Sequence, residues 1–218
     1  MDRENLRQLL IKYIEENPNK LNDVEKDILW KDFNQHWDIR RSTLYQRTDF
    51  YSDFIDYYEM ELTTVKVLTR KIAKNFDRNI KILDICSGRN CLLGRKLHQL
   101  GFQNVTCKDP CARKIFEAEG IAVETGKLTV EDFSVNGLVT GNFACEVAEM
   151  LVREGKKHDT KVLFTVCRNP KMHRLSINGI PIDNLEIFLE ELMFIGGKIS
   201  LFPIEDGLFP FISNFEIN

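Results

Sequence analysis

The sequence predicts an α/β protein with a doubly wound, mostly parallel seven-stranded sheet, preceded by an α-helical N-terminal region. Three observations lead to this fold class. Short apolar segments alternate with amphipathic segments from Lys81 onward. No glycine occurs before Gly88, which is typical of a helical front end. The last two predicted strands are only a few residues apart, around Gly207 and Pro210, so they form an antiparallel pair at one edge of the sheet.

The first 77 residues are predicted to be a helical cap, and residues 78–218 a second domain. The stretch "ENLRQLLIKYIEEN" places its apolar residues on one helical stripe. "NDVEKDILWKDFNQHW" repeats that pattern, with Asn22 as a plausible N-cap. A third and longer helix is predicted over much of the range from Phe50 to Phe76.

The second domain reads as strands that alternate with helices. The predicted strands are "KILDIC", "NVTCKD", "IAVET", "NGLVTGN" and "KVLFTVC", followed by the closing pair "KISLFPIED" and "FPFISNFEI". The predicted helices are "CLLGRKLHQLG", "PCARKIFEAEG", "CEVAEMLVREGKK" and "NLEIFLEELMFIGG". Glycine ends the first two of these helices, and Pro110 is expected to begin the second.

Composition excludes several classes of protein. The 218 residues carry a formal net charge of -3, which argues against a dedicated DNA-coating protein. No apolar run approaches the ~18 residues of a membrane span, and no basic region followed by an apolar core opens the chain. We therefore expect a cytoplasmic protein without a membrane partner. The six cysteines are expected to be free thiols, and their spacing lacks the close pairs of a zinc site, so no metal is predicted.

The stretch "ILDICSGRN" is the most informative motif. It is an apolar strand, then the carboxylate of Asp84, then a turn of small residues. This resembles the first motif of the class I S-adenosylmethionine-dependent methyltransferases, a Rossmann-like family in which the turn reads D-x-G-x-G-x-G. Aligned on Asp84, the three glycine positions fall at Cys86, Gly88 and Asn90, and only the middle glycine is kept.

The resemblance implies S-adenosylmethionine as cofactor, with its methionine moiety held by the turn. It assigns that role to Asp84, Cys86, Ser87, Gly88 and Arg89. Small residues allow the backbone to approach a ligand closely. Arg89 has two interpretations, because it can pair with the carboxylate of the cofactor or fill the pocket.

Four further positions follow from the same resemblance. Asp109 lies 21 residues after Gly88, close to the spacing of about 20 at which a carboxylate binds ribose hydroxyls. The alternative is that Asp109, just before Pro110, is a helix N-cap. Lys127 and Leu128 are expected to flank the adenine, and Asn142 to lie near the transferred methyl group.

Candidate substrate contacts are Tyr51 and Tyr58 in the helical cap, and Arg168 and His173 after the fifth strand. The last two belong to the stretch "CRNPKMHR", which is either a small basic patch for an anionic group or a solvated loop. The stretch "GLVTGNFACEVAEML", followed by "KVLFTVCRNP", is loosely similar to some RNA methyltransferases with cysteines in these two places.

These observations predict methyl transfer from S-adenosylmethionine to a small-molecule or RNA acceptor. The alternative is an inactive methyltransferase-like module that binds a protein partner, which the lost glycines and Arg89 favour. A nicotinamide enzyme is not supported, because the G-x-G-x-x-G fingerprint is absent. The sequence nominates no catalytic residue and no oligomeric state.

Overall fold

The computed structural model describes residues 3–16, 18, 26, 30, 50–88, 91–112, 114–167, 175–204 and 207–217. The chain divides into two compact units, Met1–Leu62 and Thr63–Asn218. Among the helices of the described ranges, none has the length and apolar character that crossing a membrane requires.

The first unit contains helix α1, Arg3–Glu16, which confirms the first predicted helix. Its outer side carries an ion pair between Lys12 and Glu16 at 3.7 Å. The second predicted helix lies outside the described residues, apart from Lys26 and Trp30, which are helical.

Helix α2, Phe50–Asn75, confirms the third predicted helix. The boundary between the two compact units falls inside this helix, whereas the sequence analysis divided the chain after residue 77, where the helix has ended. The physical reason is burial in the second half of the helix. Val65, Leu68 and Ile72 are almost completely buried there, so this half belongs to the core of the second unit.

The second unit is built on a seven-stranded sheet. Its strands are β1 Ile82–Ile85, β2 Val105–Lys108, β3 Ala122–Glu124, β4 Leu138–Gly141, β5 Lys161–Thr165, β8 Lys198–Ile204 and β9 Gly207–Ser213. Their order across the sheet is β3-β2-β1-β4-β5-β9-β8. Two further short strands, β6 Ser176–Ile177 and β7 Ile180–Pro181, form a separate hairpin that the sequence analysis did not predict.

The predicted mixture of parallel and antiparallel strands is confirmed. Strands β1 to β5 are parallel to one another, and β9 is antiparallel to both β5 and β8. The antiparallel strand is therefore the inner member of the closing pair, and not the edge strand. The chain reaches the outer position first, as β8, and the short connection then returns β9 to the gap beside β5.

Four α-helices of the described ranges connect the strands: α3 Leu92–Gln99, α4 Glu131–Val135, α5 Ala148–Lys157 and α6 Leu185–Phe194. Two 3₁₀ helices, Lys114–Glu119 and Cys145–Val147, lie between them. Pro110 does not begin a helix, because the chain turns there first and becomes helical only at Lys114. Helix α6 begins where the side chain of Asn184 accepts hydrogen bonds from two backbone amides.

The strand order reverses between β1 and β4. From β1 the chain moves outward through β2 and β3, and it then returns to the other side of β1 as β4. In open α/β sheets, ligands bind outside the carboxyl ends of the strands at such a reversal. The topology therefore places a crevice above Ile85 and Gly141, which end these two strands.

Helix α3 packs tightly against the sheet at Gly94. A Cβ atom at this position would overlap Cys107 Sγ and would lie 3.2 Å from Asp84 Oδ2. Close packing of a helix on neighbouring strands thus depends on a residue without a side chain.

Replacement of Gly94 by alanine is expected to lower the free energy of unfolding by about 1–3 kcal/mol, because it overpacks a closed interior. This loss should appear although alanine is the better helix former. Urea unfolding of Gly94→Ala would measure it. The control is Gly126→Ala, whose new Cβ would lie at an ordinary 3.6 Å from Lys108 Cε. Cys107→Ala should relieve part of the strain, so additive effects in the double variant would contradict this explanation.

Candidate functional site

The turn after β1 adopts the conformation that glycine usually supplies. Cys86 has a φ angle of 51° and Gly88 has one of 62°, both in the left-handed region. Cys86 therefore takes the backbone conformation typical of the glycine it replaces in the motif. Apart from its two chain neighbours, a Cβ atom on Gly88 would meet no atom of the described residues within 4 Å. Arg89 and Asn90 lie outside the described residues.

Asp109 connects this turn to the end of β2. Its Oδ2 accepts a hydrogen bond from Gly88 N at 3.2 Å, and its Oδ1 accepts one from Cys111 N at 2.7 Å. The second bond closes a local turn over Pro110. Asp109 therefore caps this turn and does not begin a helix, as its alternative predicted role required. The structure thus brings two predicted site residues into direct contact at the carboxyl edge of the sheet.

Asp84 lies beneath the turn and is completely buried. Its Oδ2 accepts hydrogen bonds from Gly94 N at 2.9 Å and from Cys107 Sγ at 3.7 Å. Its Oδ1 has no hydrogen-bond partner among the described residues. Burial raises the pKa of Asp84 well above its usual range, and the neighbouring Cys91 adds to this effect.

The cysteines near the crevice are free thiols, as predicted. Burial, followed by the charges of Asp109 and Asp84, raises the pKa of Cys86 to about 12. Burial likewise raises the pKa of Cys145 to about 12. A hydrogen bond with Cys91 and then burial raise the pKa of Cys107. These three thiols are therefore protonated at neutral pH and are poor nucleophiles. Within the described ranges, no group of three metal-binding side chains could hold a metal ion.

Asn142 follows β4 and bonds to the end of β5. Its Oδ1 accepts a hydrogen bond from Thr165 Oγ1 at 2.9 Å, and the same hydroxyl accepts one from Phe143 N at 2.9 Å. A second link lies beside the first, where Cys167 N donates to Cys145 Sγ at 3.0 Å. These bonds fix the carboxyl ends of β4 and β5 relative to each other.

The two predicted adenine contacts differ in burial. Leu128 is half-buried and packs against the same hydrophobic cluster as Cys86 and Phe143. Lys127 is exposed. Leu128 is therefore the member of this pair that can form an apolar wall of the crevice.

Four predicted substrate contacts cannot be placed in the site. Tyr51 and Tyr58 lie in α2, and their side chains are outside the described residues. Arg168 and His173 also lie outside the described residues. These four assignments stay predictions.

Two residues that shape the site, Gly94 and Thr165, were not predicted from the sequence. Gly94 allows α3 to reach the carboxylate of Asp84, and Thr165 holds the side chain of Asn142. The available signal for Thr165 was a hydroxyl at the end of the apolar strand "KVLFT". For Gly94 it was a glycine inside a helical pattern, which often marks close packing.

The raised pKa of Asp84 gives a pH dependence of stability with a definite sign. The folded state holds this proton more tightly than the unfolded state, so stability falls as pH rises from about 3.9 to the raised value. In Asp84→Asn this loss is absent. The stability of the variant relative to the parent should therefore increase with pH, by up to about 1.4 kcal/mol per pH unit. Urea unfolding of both proteins between pH 4 and 8 would test it, and a constant or falling difference would disprove the raised pKa.

Comparisons with known proteins agree on the fold. No protein-family model matches the chain, and no curated sequence does. Solved structures do match. Magnesium protoporphyrin IX methyltransferase from Synechocystis PCC 6803 has a TM-score of 0.56 and 13% identity, over 88% of this chain and 96% of that one. Ribosomal protein L11 methylase from Lactobacillus delbrueckii subsp. bulgaricus has a TM-score of 0.50 and 17% identity, over 71% and 78%.

A third match is a point mutant of MtNAS in complex with S-adenosylmethionine. It has a TM-score of 0.50 and 13% identity, over 98% of this chain and 91% of that one. At identities this low, the structural matches establish the fold and no finer property. Together with the strand order, they show that the chain has the class I methyltransferase fold.

Proposed function

We propose that this protein transfers a methyl group from S-adenosylmethionine to a small-molecule or RNA acceptor. The observation that carries the proposal is the contact between Gly88 N and Asp109 Oδ2 at 3.2 Å. It joins the turn after β1 to the carboxylate after β2, beside the point where the strand order reverses.

Asp109 is suited to bind the ribose of the cofactor. A carboxylate has about four lone-pair positions, and the amides of Gly88 and Cys111 use one on each oxygen. Each oxygen therefore retains the capacity to accept a hydrogen bond from a ribose hydroxyl. The two amide bonds also hold the carboxylate in a fixed orientation, which lowers the entropy cost of binding.

The turn and Leu128 provide the other contacts in this proposal. The small residues Cys86, Ser87 and Gly88 allow the backbone of the turn to approach the methionine moiety closely. Asp84 supports the turn from below through Gly94, and Leu128 offers an apolar surface to the adenine. Arg89 and Lys127 complete the proposed cofactor site, and Asn142 is assigned to the place of the transferred methyl group, on the basis of the sequence resemblance alone.

The cofactor supplies an activated methyl group on a sulfonium, so the protein need only bind, align and exclude water. A general base is required only where the acceptor must lose a proton. The protonated thiols of Cys86 and Cys145 do not meet that need. Bound S-adenosylmethionine in two of the similar structures supports the choice of cofactor. The cytoplasmic location and a possible protein partner stay predictions from the sequence.

Calorimetric titration with S-adenosylmethionine and S-adenosylhomocysteine would test the proposal. The parent protein should bind both, and Asp109→Ala should bind each about 10–100-fold more weakly, since hydrogen bonds to a charged group contribute about 1.5–3 kcal/mol. The matched control is Asp183→Ala, which removes an exposed carboxylate near the start of α6 and should leave both affinities unchanged.

Absence of binding by the folded parent protein would contradict the proposal. An Arg89→Gly variant would then show whether the side chain of Arg89 blocks the turn. Binding gained in that variant would favour the inactive binding module over the enzyme. Equal affinity in the parent and in Asp109→Ala would remove the assigned role of Asp109.

A further inference from the structure

The orientation of the Asn142 side chain is fixed by the bonding of Thr165. The hydroxyl of Thr165 accepts a hydrogen bond from Phe143 N at 2.9 Å, so its one proton is available for a different partner. In the structure it goes to the side chain of Asn142, where Thr165 Oγ1 donates to Oδ1 at 2.9 Å. The amide oxygen Oδ1 therefore faces Thr165, and the amide nitrogen Nδ2 faces away from it.

Nδ2 of Asn142 is a buried donor without a hydrogen-bond partner among the described residues. A buried donor that makes no hydrogen bond costs about 1–3 kcal/mol, and such atoms are rare in folded proteins. A ligand that brings a hydrogen-bond acceptor to this point would remove that cost. The arrangement thus provides a prepared donor at the carboxyl end of β4.

The position of this donor separates it from the proposed ribose site. Asn142 follows β4 and bonds across to β5, whereas Asp109 follows β2 and bonds back to the turn after β1. In the order β3-β2-β1-β4-β5 these two side chains lie on opposite sides of β1. Nδ2 therefore belongs to the half of the crevice that the nucleoside does not use.

We infer that Asn142 Nδ2 donates a hydrogen bond to an oxygen of the methyl acceptor, and that the substrate carries a carboxylate, carbonyl or phenolate oxygen at this place. The inference rests on the proposed function. Thr165 acts as a positioning residue, because it determines which end of the amide meets the substrate. A substrate ammonium group is disfavoured, since it has only donors and would face a second donor.

The charges around Asn142 would by themselves favour a cationic substrate group over an anionic oxygen. Burial raises the pKa of the nearby Cys86 thiol, and the carboxylates of Asp109 and Glu146 raise it further, so the local field favours cations. Preference for an anionic oxygen at this point would therefore have to come from the oriented amide. This separates the inference from a nonspecific effect of charge.

The test uses nuclear magnetic resonance of the Asn142 side-chain amide, whose paired signals are assigned by their loss in Asn142→Asp. With S-adenosylhomocysteine bound, benzoate and benzylamine are titrated as probes of matched size. Benzoate should shift the Nδ2 proton signals in a saturable way, and benzylamine should not. Thr165→Val should weaken the benzoate effect at least about fivefold, whereas Thr165→Ser, which keeps the hydroxyl, should restore it to within about twofold.

The Asn142→Asp variant should reverse the preference between the two probes, and this test does not depend on Thr165. A carboxylate in place of the amide accepts hydrogen bonds, so this variant should bind benzylamine more tightly than benzoate. The two affinities would be measured from the changes in the probes' own resonance signals. This arm still decides the matter if Thr165→Val fails to fold.

Three results would overturn the inference. The first is a saturable shift of the Nδ2 proton signals by benzylamine and not by benzoate, or the lack of such a shift with both probes. The second is a shift of the Nδ2 signals by S-adenosylhomocysteine but not by 5′-methylthioadenosine, which lacks the amino acid moiety. In that case the amino acid moiety of the cofactor, and not the substrate, would accept the hydrogen bond from Nδ2. The third is an unchanged probe preference in Asn142→Asp. Failure of S-adenosylhomocysteine to bind at all would instead reject the proposed function.

Discussion

The buried carboxylate of Asp84 determines how the rest of the site is arranged. It lies in the middle of the sheet and binds the amide of Gly94 on the helix above. Because Gly94 has no side chain, α3 can reach this carboxylate, and the short turn between β1 and α3 must then close over it. Cys86 and Gly88 adopt left-handed backbone conformations, which allow the turn to close in this way. The unfavourable burial of an acidic group, whose cost appears as the raised pKa of Asp84, is thus tolerated where it fixes a helix, a strand and a turn together.

From this centre the site extends along the sheet edge in two directions. On one side, the amide of Gly88 holds the carboxylate of Asp109. On the other side, the hydroxyl of Thr165 holds the amide of Asn142. Each of these two side chains is therefore oriented in part by the end of a neighbouring strand. Such second contacts keep a site in its productive geometry before a ligand arrives, and in the function proposed above they separate a nucleoside half of the crevice from an acceptor half.

Much of the fold could be predicted because its signals are local. Alternating apolar and amphipathic segments indicated the strands and helices, and the short spacing around Gly207 and Pro210 indicated the antiparallel pair. Two local expectations were wrong in detail. Pro110 begins a turn instead of a helix, because Asp109 bonds to the amide of Cys111. The hairpin of β6 and β7 was missed because each strand has only two residues, too few for any periodicity.

The sequence by itself determined the fold class, the position of the turn at Asp84 and the place of Asp109, since each follows from the order and spacing of residues along the chain. Tertiary structure alone decided which atoms those side chains offer to a ligand. Asp109 is held by an amide 21 residues away, and Asn142 is oriented by a hydroxyl 23 residues away. Hydrogen bonds of this kind depend on strand pairing across the sheet, and the spacing of two residues in the sequence does not say which of their atoms the pairing brings into contact.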